Sequence, residues 1–154
     1  MSGLRTEIPW KTDAAGMMIG ARAHDGHLFA LSYLDHDNLL IKVRRASADL
    51  VEIKLQGVRD VGIVGFRNGA ILADAFVWRL GKLSSANLDG MHGATRALFG
   101  HDLPPPDANA EVQKLIRTCP ELFFAYFSCS YGGEVAATCE QVRVFEEALR
   151  EPPK

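Results

Sequence analysis

The sequence predicts an α+β protein: a predominantly antiparallel β-meander of about seven to eight strands, with two short helices inserted before a C-terminal β-hairpin. Three observations support this fold class. Alternating segments separated by turn residues fill positions 17–80, apolar residues with helical spacing occur within 83–118, and two more alternating segments flank a Gly-Gly turn within 121–150. Strands therefore dominate, and the helices form an insertion.

One domain is expected for the 154 residues. A chain of this length buries about two-thirds of its unfolded surface, so its fold requires neither a metal nor a disulfide. Within the single domain 1–154 we expect an N-terminal arm (1–16), the meander (17–80), the helical insertion (83–118) and a closing hairpin with its tail (121–150).

The first two turns predict the register of the meander. Asp25-Gly26 is typical of a two-residue turn that would pair 17–23 with 27–35, and His36-Asp37 is the next predicted turn. The two registers agree on one apolar face, formed by Met17, Ile19, Ala21, Leu28, Ala30, Leu34, Leu39, Ile41 and Val43. The opposite face is mixed in character and carries Phe29, Leu31, Tyr33, Leu40, Lys42 and Arg44, so either a helix of the same chain covers it or it is a binding surface.

Two further strands complete the meander. Residues 50–58 alternate in polarity, which is typical of a half-buried antiparallel strand. Asn68-Gly69 predicts a hairpin that joins 61–66 to 70–80. The second of these strands is apolar on both faces except at Asp74, which would lie opposite Ile63.

The helical insertion is indicated by spacing and by breakers. Helical spacing relates Leu88, Met91, Ala94 and Leu98, although Gly90 and Gly93 weaken this pattern by about 1 kcal/mol each. Three prolines at 104–106 interrupt the chain, and Asp107 is predicted to cap a second helix over 108–118.

The closing hairpin turns at Tyr131-Gly132-Gly133, and two registers compete for it. A three-residue turn segregates polarity better than a two-residue Gly-Gly turn, and we therefore prefer it. Its apolar face contains Phe123, Ala125, Phe127, Cys129, Val135, Ala137 and Cys139. Its polar face, with Tyr126, Ser128, Ser130, Glu134, Thr138 and Glu140, either is solvated or lines a groove. Beyond Glu140 we expect a strand that turns into a short helix.

Asp74 is the main candidate for a ligand anchor. Its predicted neighbours on one face of the strand include Phe76 and Trp78. A carboxylate among aromatic rings needs a partner or has its pKa raised. It is either paired with an arginine such as Arg79, or it forms the base of an aromatic pocket for a ligand.

Metal and thiol chemistry receive little support. His24 and His27 flank the Asp25-Gly26 turn and are a weak candidate pair for a metal, but no third ligand is close, so we expect no metal and no cofactor. The three cysteines, an odd number, are expected to be reduced and buried. His92 and His101 lie in the helical insertion, and nothing in the sequence assigns them a role.

Composition excludes several classes of function. The net charge of −2 differs from the strongly basic surface of nucleic-acid-binding proteins. No apolar stretch approaches the roughly 20 residues that span a bilayer, and no signal-peptide pattern occurs at the N-terminus, so a cytoplasmic protein without membrane contact is expected.

Two hypotheses about function remain open. The first is a non-enzymatic binding or protein-interaction module that contacts itself, as a homo-oligomer, or another protein. Its interface would be either the mixed face with Phe29, Leu31, Tyr33, Lys42 and Arg44 or the last strand pair, within 121–150. The alternative is a small-molecule-binding protein or an enzyme with an apolar pocket around Asp74, Phe76 and Trp78.

Overall fold

The computed structural model describes residues 4–21, 23–65, 70–100 and 102–148. These residues form eleven strands: β1 (Arg5–Ile8), β2 (Lys11–Thr12), β3 (Met18–Ile19), β4 (His27–Asp35), β5 (Asn38–Arg44), β6 (Leu50–Gln56), β7 (Asp60–Val64), β8 (Ile71–Arg79), β9 (Phe123–Ser130), β10 (Glu134–Cys139) and β11 (Gln141–Glu147). A 3-10 turn at Leu80–Lys82 precedes three helices: α1 (Ser85–Gly90), α2 (His92–Phe99) and α3 (Pro105–Thr118).

Nine of the strands form one sheet in the order β1-β11-β6-β5-β4-β8-β9-β10-β7, and every pairing in it is antiparallel. The predicted α+β class is therefore confirmed. The strand number is larger than expected because the N-terminal arm supplies β1 and β2, and because 141–147 is a strand throughout. Three helices replace the two that the sequence predicted.

The sheet folds back on itself at a shared bend. Strand β6 continues into β7, and β10 continues into β11, so two long bent strands run side by side. Backbone hydrogen bonds from Glu140 to Gln56 (2.9 Å) and from Arg59 to Thr138 (3.0 Å) bracket the bend. Gly57 lies there with φ +62°, and an added Cβ would lie 2.7 Å from the Glu140 side chain, so glycine fits this position best.

The inner face of the curled sheet encloses one apolar core. Because side chains alternate along a strand, every second residue of β5, β6 and β11 points inward. Complete burial of each aliphatic side chain contributes about 1.5–3 kcal/mol. The fully buried aliphatic members from these strands are Leu39, Ile41, Val43, Val51, Ile53, Leu55 and Val144.

Two β-bulges overturn the predicted register of β4. Its pairing with β5 shifts between Leu28 and Ala30 and again between Tyr33 and Asp35. Each bulge inserts one residue and reverses the facing of the side chains that follow. Leu31 therefore lies opposite Ile41 and packs against the core, instead of on the mixed outer face.

The Asp25-Gly26 turn does not form the predicted hairpin. The Gly26 amide donates to Ala23, and only Asp25 of the turn pair adopts a positive φ, +61°. A two-residue type I′ hairpin requires positive φ at both positions. The chain after the turn therefore pairs with the start of β8, where Leu72 donates to Gly26, while β3 pairs with β2.

The prediction for β7 and β8 was also wrong. Strand β7 pairs with β10, and β8 pairs with β9, so Asp74 lies opposite Ser128 instead of Ile63. The predicted Asn68-Gly69 turn lies outside the described residues. The facing of the closing hairpin is confirmed, since Phe127 lies opposite Val135, although the register is shifted by two residues from the predicted one.

The helices cover the outer face of β8, β9 and β10. Helix α2 lies against β7, where an added Cβ on Gly62 would lie 1.8 Å from the Ala97 carbonyl oxygen. Helix α3 begins at Pro105, three residues before the predicted start, since proline suits a first helical turn. A second core lies between these layers, and its buried members are Trp78, Leu80, Leu88, Met91, Ala94, Ala97, Val112, Leu122, Phe124 and Ala136.

Charged side chains cover the outer face of the other half of the sheet. The Glu52 carboxylate is 5% exposed and lies 2.7 Å from Arg5 and 2.9 Å from Lys42. Arg5 and Arg143 contact the ring of Phe145, at 4.1 and 5.0 Å from its centroid. No described helix combines the length and the apolar content required to cross a bilayer.

Candidate functional site

The sheet is open between β4 and β8. Their regular pairing is confined to His27 opposite Ile71, beyond which the strands separate. Residues 13–21, here named the plug segment, fill the gap: Val77 donates to the Gly16 carbonyl (2.9 Å), and Met17 forms a bridge with Phe76. The plug segment therefore takes the place of a strand at the edge of β8, and a cleft lies on each side of it.

The first cleft, here named the apolar cleft, has a volume of about 250 Å³. It lies between the plug segment, the turn that follows it, and β8. Most of the lining side chains are apolar, and the exceptions are Asp74 and His24. The lining residues are Met17, Met18, Ile19, Gly20, Ala21, Ala23, His24, Leu72, Asp74 and Ala75.

Asp74 is half-buried, and its side chain accepts a hydrogen bond from a neutral hydroxyl group. The Ser128 hydroxyl donates to Asp74 Oδ2 at 3.2 Å. No arginine or lysine of the described residues forms an ion pair with Asp74. Arg79, which the sequence offered as a structural partner, lies over the ring of Phe123 at 4.7 Å from its centroid. The alternative of a salt-bridged Asp74 thus finds no support in the described part of the chain.

The structure separates the three residues predicted to bind a ligand. Asp74, Phe76 and Trp78 share the outer face of β8, as expected. Phe76 is stacked on Trp78, with ring centroids 5.2 Å apart, and also contacts Tyr126. Only Asp74 lines the apolar cleft, whereas Trp78 lines the cleft on the other side of the plug segment.

Helix α2 closes over the polar face of the last hairpin. The Tyr126 hydroxyl donates to Glu134 Oε1, and an added Cβ on Gly93 of α2 would lie 2.8 Å from that hydroxyl. Burial, and then the bond to Glu134, raise the pKa of Tyr126 above its usual value. Thr138 on the same face is fully buried and bonds Asp60. At these positions the face is packed against its own chain.

The residues of the predicted interface are divided between environments. Leu31 packs against the inner core, and Lys42 bonds the buried Glu52. Arg44 lies on the outer face of β5, while Tyr33, at the end of β4, is 50% exposed. The side chain of Phe29 lies outside the described residues. The three helices pack on β8, β9 and β10, so they do not cover the outer face of β5.

The candidate metal pair is not assembled. His24 Nδ1 lies 2.9 Å from Asp25 Oδ2, and both side chains are exposed. His27 pairs with Arg44 and Ile71 instead of facing His24. Within the described ranges, no group of three His, Cys, Asp or Glu side chains is placed to hold a metal. His101 lies outside those ranges.

The three cysteines are free thiols. Cys139 is buried, and this burial raises the pKa of its thiol to about 12. Burial also raises the pKa of the Cys129 thiol. A raised pKa suppresses the thiolate that a cysteine nucleophile requires, so neither thiol is suited to catalysis.

The second cleft was not anticipated from the sequence. Its volume is about 440 Å³, and it lies between β2, the plug segment and the end of β8. Lys11, Arg79 and Lys82 line it together with both tryptophans of the chain, Trp10 and Trp78. We name it the basic cleft. The three cations come from distant sequence positions, and none of them belongs to a recognisable motif.

Comparison with known proteins adds no assignment, because no protein-family model, curated protein or solved structure matches this chain.

Proposed function

We propose that this protein is a non-enzymatic binding protein that holds a compact ligand in the apolar cleft. The ligand has an apolar body and an amine, or another cationic group, that donates a hydrogen bond to the Asp74 carboxylate. The observation that carries this proposal is a half-buried carboxylate on the wall of an apolar cleft, bonded by Ser128 and by no described cation.

The charge of Asp74 supports an amine as the polar group. Removing a carboxylate from water is costly unless an opposite charge or several hydrogen bonds compensate for it. Ser128 supplies a single hydrogen bond to Oδ2. A ligand ammonium would supply the missing charge, and a charge-assisted hydrogen bond is about twice as strong as a neutral one.

The size and lining of the cleft support a small apolar body. Ligand pockets for drug-sized molecules are about 300–1,000 Å³, and this cleft, at about 250 Å³, lies just below that range. Met17 and Met18 line it, and unbranched methionine side chains adapt their shape to different apolar ligands. We infer a ligand the size of a single ring with a short side chain.

The titratable groups of the cleft support binding without catalysis. Its lining contains two of them, Asp74 and His24. The His24 imidazole is directed to Asp25 in an exposed turn, and a general base needs to lie within hydrogen-bond reach of the proton that it abstracts.

The test uses methionine methyl signals in NMR spectra, titrated with benzylamine and with benzyl alcohol as its neutral analogue. Two of the four methionines, Met17 and Met18, line the cleft, while Met91 is fully buried between the helices and serves as an internal reference. We expect benzylamine to shift the Met17 and Met18 signals saturably, and to bind more tightly than benzyl alcohol.

Asp74→Asn keeps an acceptor for Ser128 but removes the charge. We expect it to weaken benzylamine binding about tenfold or more, while benzyl alcohol binding changes little. Asp37→Asn, at an exposed turn, is the matched control. Unchanged Met17 and Met18 signals at saturating amine, or equal affinities of wild type and Asp74→Asn for benzylamine, would refute the proposal.

Self-association stays a prediction from the sequence. Tyr33 of the predicted interface is exposed, and so is the neighbouring apolar side chain of Leu34, at the end of β4. Light scattering over a range of protein concentrations tests this hypothesis, and Tyr33→Glu is expected to dissociate any dimer that uses this surface.

A further inference from the structure

We propose that the basic cleft is a second binding site, for a small molecule in which a phosphate group is attached to a flat apolar ring. Lys11, Arg79 and Lys82 would surround the phosphate, and Trp10 would contact the ring. This site is separate from the apolar cleft and does not depend on the function proposed for it.

The charge of the cleft favours a dianion. Its lining contains three cations and one carboxylate, Asp13, which gives a local charge of +2 in a chain whose net charge is −2. Asp13 Oδ1 already accepts hydrogen bonds from the amides of Ala15 and Met17, both at 2.9 Å. A phosphate group carries about −1.5 to −2 at pH 7 and would balance the excess positive charge.

The three cations are available to a ligand. Lys11, Arg79 and Lys82 are exposed, and none of them forms an ion pair with a carboxylate of the described residues. Arg79 is partly oriented, because its guanidinium lies over the ring of Phe123. An oriented guanidinium loses less freedom on binding and can bond two phosphate oxygens at once.

Hydrogen bonds fix the walls of the cleft. Trp78 Nε1 donates to the Ala15 carbonyl at 2.9 Å, and Trp10 Nε1 donates to Val142 at 3.1 Å. Gly16 crosses directly over Trp78: its φ is +92°, and an added Cβ would lie 2.1 Å from the indole nitrogen. The first of these bonds joins β8 to the plug segment, and the second holds Trp10 against β11, before any ligand arrives.

Aromatic surface provides a place for a ring. Trp10 is half-buried, and its ring meets Phe123 edge to face at 6.3 Å between centroids. Its indole N–H already donates to Val142, so Trp10 would contact a ligand through its apolar ring and not through a hydrogen bond. A flat ring in a cleft of about 440 Å³ would leave space for the phosphate beside the cations.

The test exploits the position of the two tryptophans. Both line this cleft, so tryptophan fluorescence reports on the site directly. The probes are phenyl phosphate, inorganic phosphate and benzoate, at constant ionic strength because exposed charges are screened by salt. We expect phenyl phosphate to change the emission saturably, inorganic phosphate to compete with it, and benzoate to bind at least tenfold more weakly.

Lys82→Gln and Lys114→Gln are matched variants, since both remove one exposed positive charge, and Lys114 lies on α3 outside the cleft lining. We expect Lys82→Gln to weaken phenyl phosphate binding about tenfold and Lys114→Gln less than twofold. Equal effects of the two variants, equal affinities for benzoate and phenyl phosphate, or no saturable change with any probe would overturn the proposal. Asp74→Asn is expected to leave phenyl phosphate binding unchanged, so failure at one cleft is distinguishable from failure at the other.

Discussion

The two halves of the main sheet share one inner core but cover their outer faces in different ways. Over β8, β9 and β10 the outer face carries Phe76, Trp78, Phe124 and Tyr126 beside polar residues, and three helices pack on its apolar part. Over β5, β6 and β11 the outer residues are mostly polar or charged, and their long side chains form the cover. Strand alternation therefore determines what lies inside, whereas the outer layer depends on the residues that each strand presents there.

The charged half still buries apolar surface. Leu40 lies on the outer face of β5, opposite Lys54, and is 5% exposed. The ring of Phe145 is contacted by two guanidinium groups. Long basic side chains cover apolar groups with their methylene stems while their charged ends reach water or a carboxylate. A helix is therefore not required to complete this face.

Gly62→Ala is expected to have the largest effect, and it tests the helix-covered half. Its Cβ would overlap the backbone carbonyl oxygen of Ala97, which cannot rotate away as a side chain could. We expect a loss of about 3 kcal/mol in the free energy of unfolding, the upper end of the usual range for overpacking, measured by urea denaturation.

Gly90→Ala is the matched control for this substitution. Gly90 ends α1, and an added Cβ would contact nothing within 4 Å. Alanine in a helix is favoured over glycine by about 0.5–1 kcal/mol, so this variant should be neutral or slightly stabilising. If Gly62→Ala were as stable as Gly90→Ala, α2 would not pack on β7 as described.

Glu52→Gln tests the charged half and is expected to have an intermediate effect. The substitution removes the charge that compensates Lys42 and Arg5, although both cations are partly exposed and can reach water. We expect a loss of about 1–2 kcal/mol in the free energy of unfolding, measured in the same urea assay.

Glu7→Gln is the comparison variant for that half. Glu7 bonds Arg143 at the surface, and this bond holds the pKa of the Glu7 carboxyl below its usual value. Exposed ion pairs contribute little to stability, so its effect should be clearly smaller than that of Glu52→Gln. The opposite order would mean that the cover of this half depends on the edge strand more than on the buried carboxylate.

The smallest expected effect concerns Tyr126 at alkaline pH. Its pKa is raised in the folded protein above the ordinary value of 10.0. The contribution of this raised pKa to the free energy of unfolding is fully present below pH 10. It is lost as pH rises further, because the unfolded chain then releases the phenolic proton while the folded chain retains it.

Urea denaturation across the alkaline range measures this dependence. Tyr126→Phe has no phenol to ionise, so its stability should fall less steeply with pH than that of the wild type. Parallel pH profiles for the two proteins would show that Tyr126 is not held under α2 in the folded state.

The sequence predicted the fold class because strand alternation and turn residues are local signals. It predicted the facing of the closing hairpin for the same reason, since alternation of Phe123, Ala125 and Phe127 is independent of the exact loop length. The bulges at Phe29 and Leu34 could not be predicted in this way. A bulge adds one residue without a marked change in composition, and it reverses the facing of everything that follows.

The candidate site was only partly predictable. Asp74 was identified because a carboxylate is unusual in an apolar strand, and the structure places it on the wall of a cleft. Residues 17–21 of the plug segment were expected to pair with 27–35, and no local pattern indicates that this segment occupies the edge of β8. Lys11 and Lys82 come together through that long-range arrangement, so neither carries a signal in the sequence.

The ribosome synthesises β11 long after β1 and β6, the two strands with which it pairs. From Gln56 to Gln141 the ribosome adds 85 residues (141 minus 56), which takes about 4–17 s at about 5–20 residues per second. During that time the edge of β6 has no partner, and an open strand edge is a template for aggregation. The yield of folded protein therefore depends on what shields this edge during those seconds, as well as on the stability of the finished sheet.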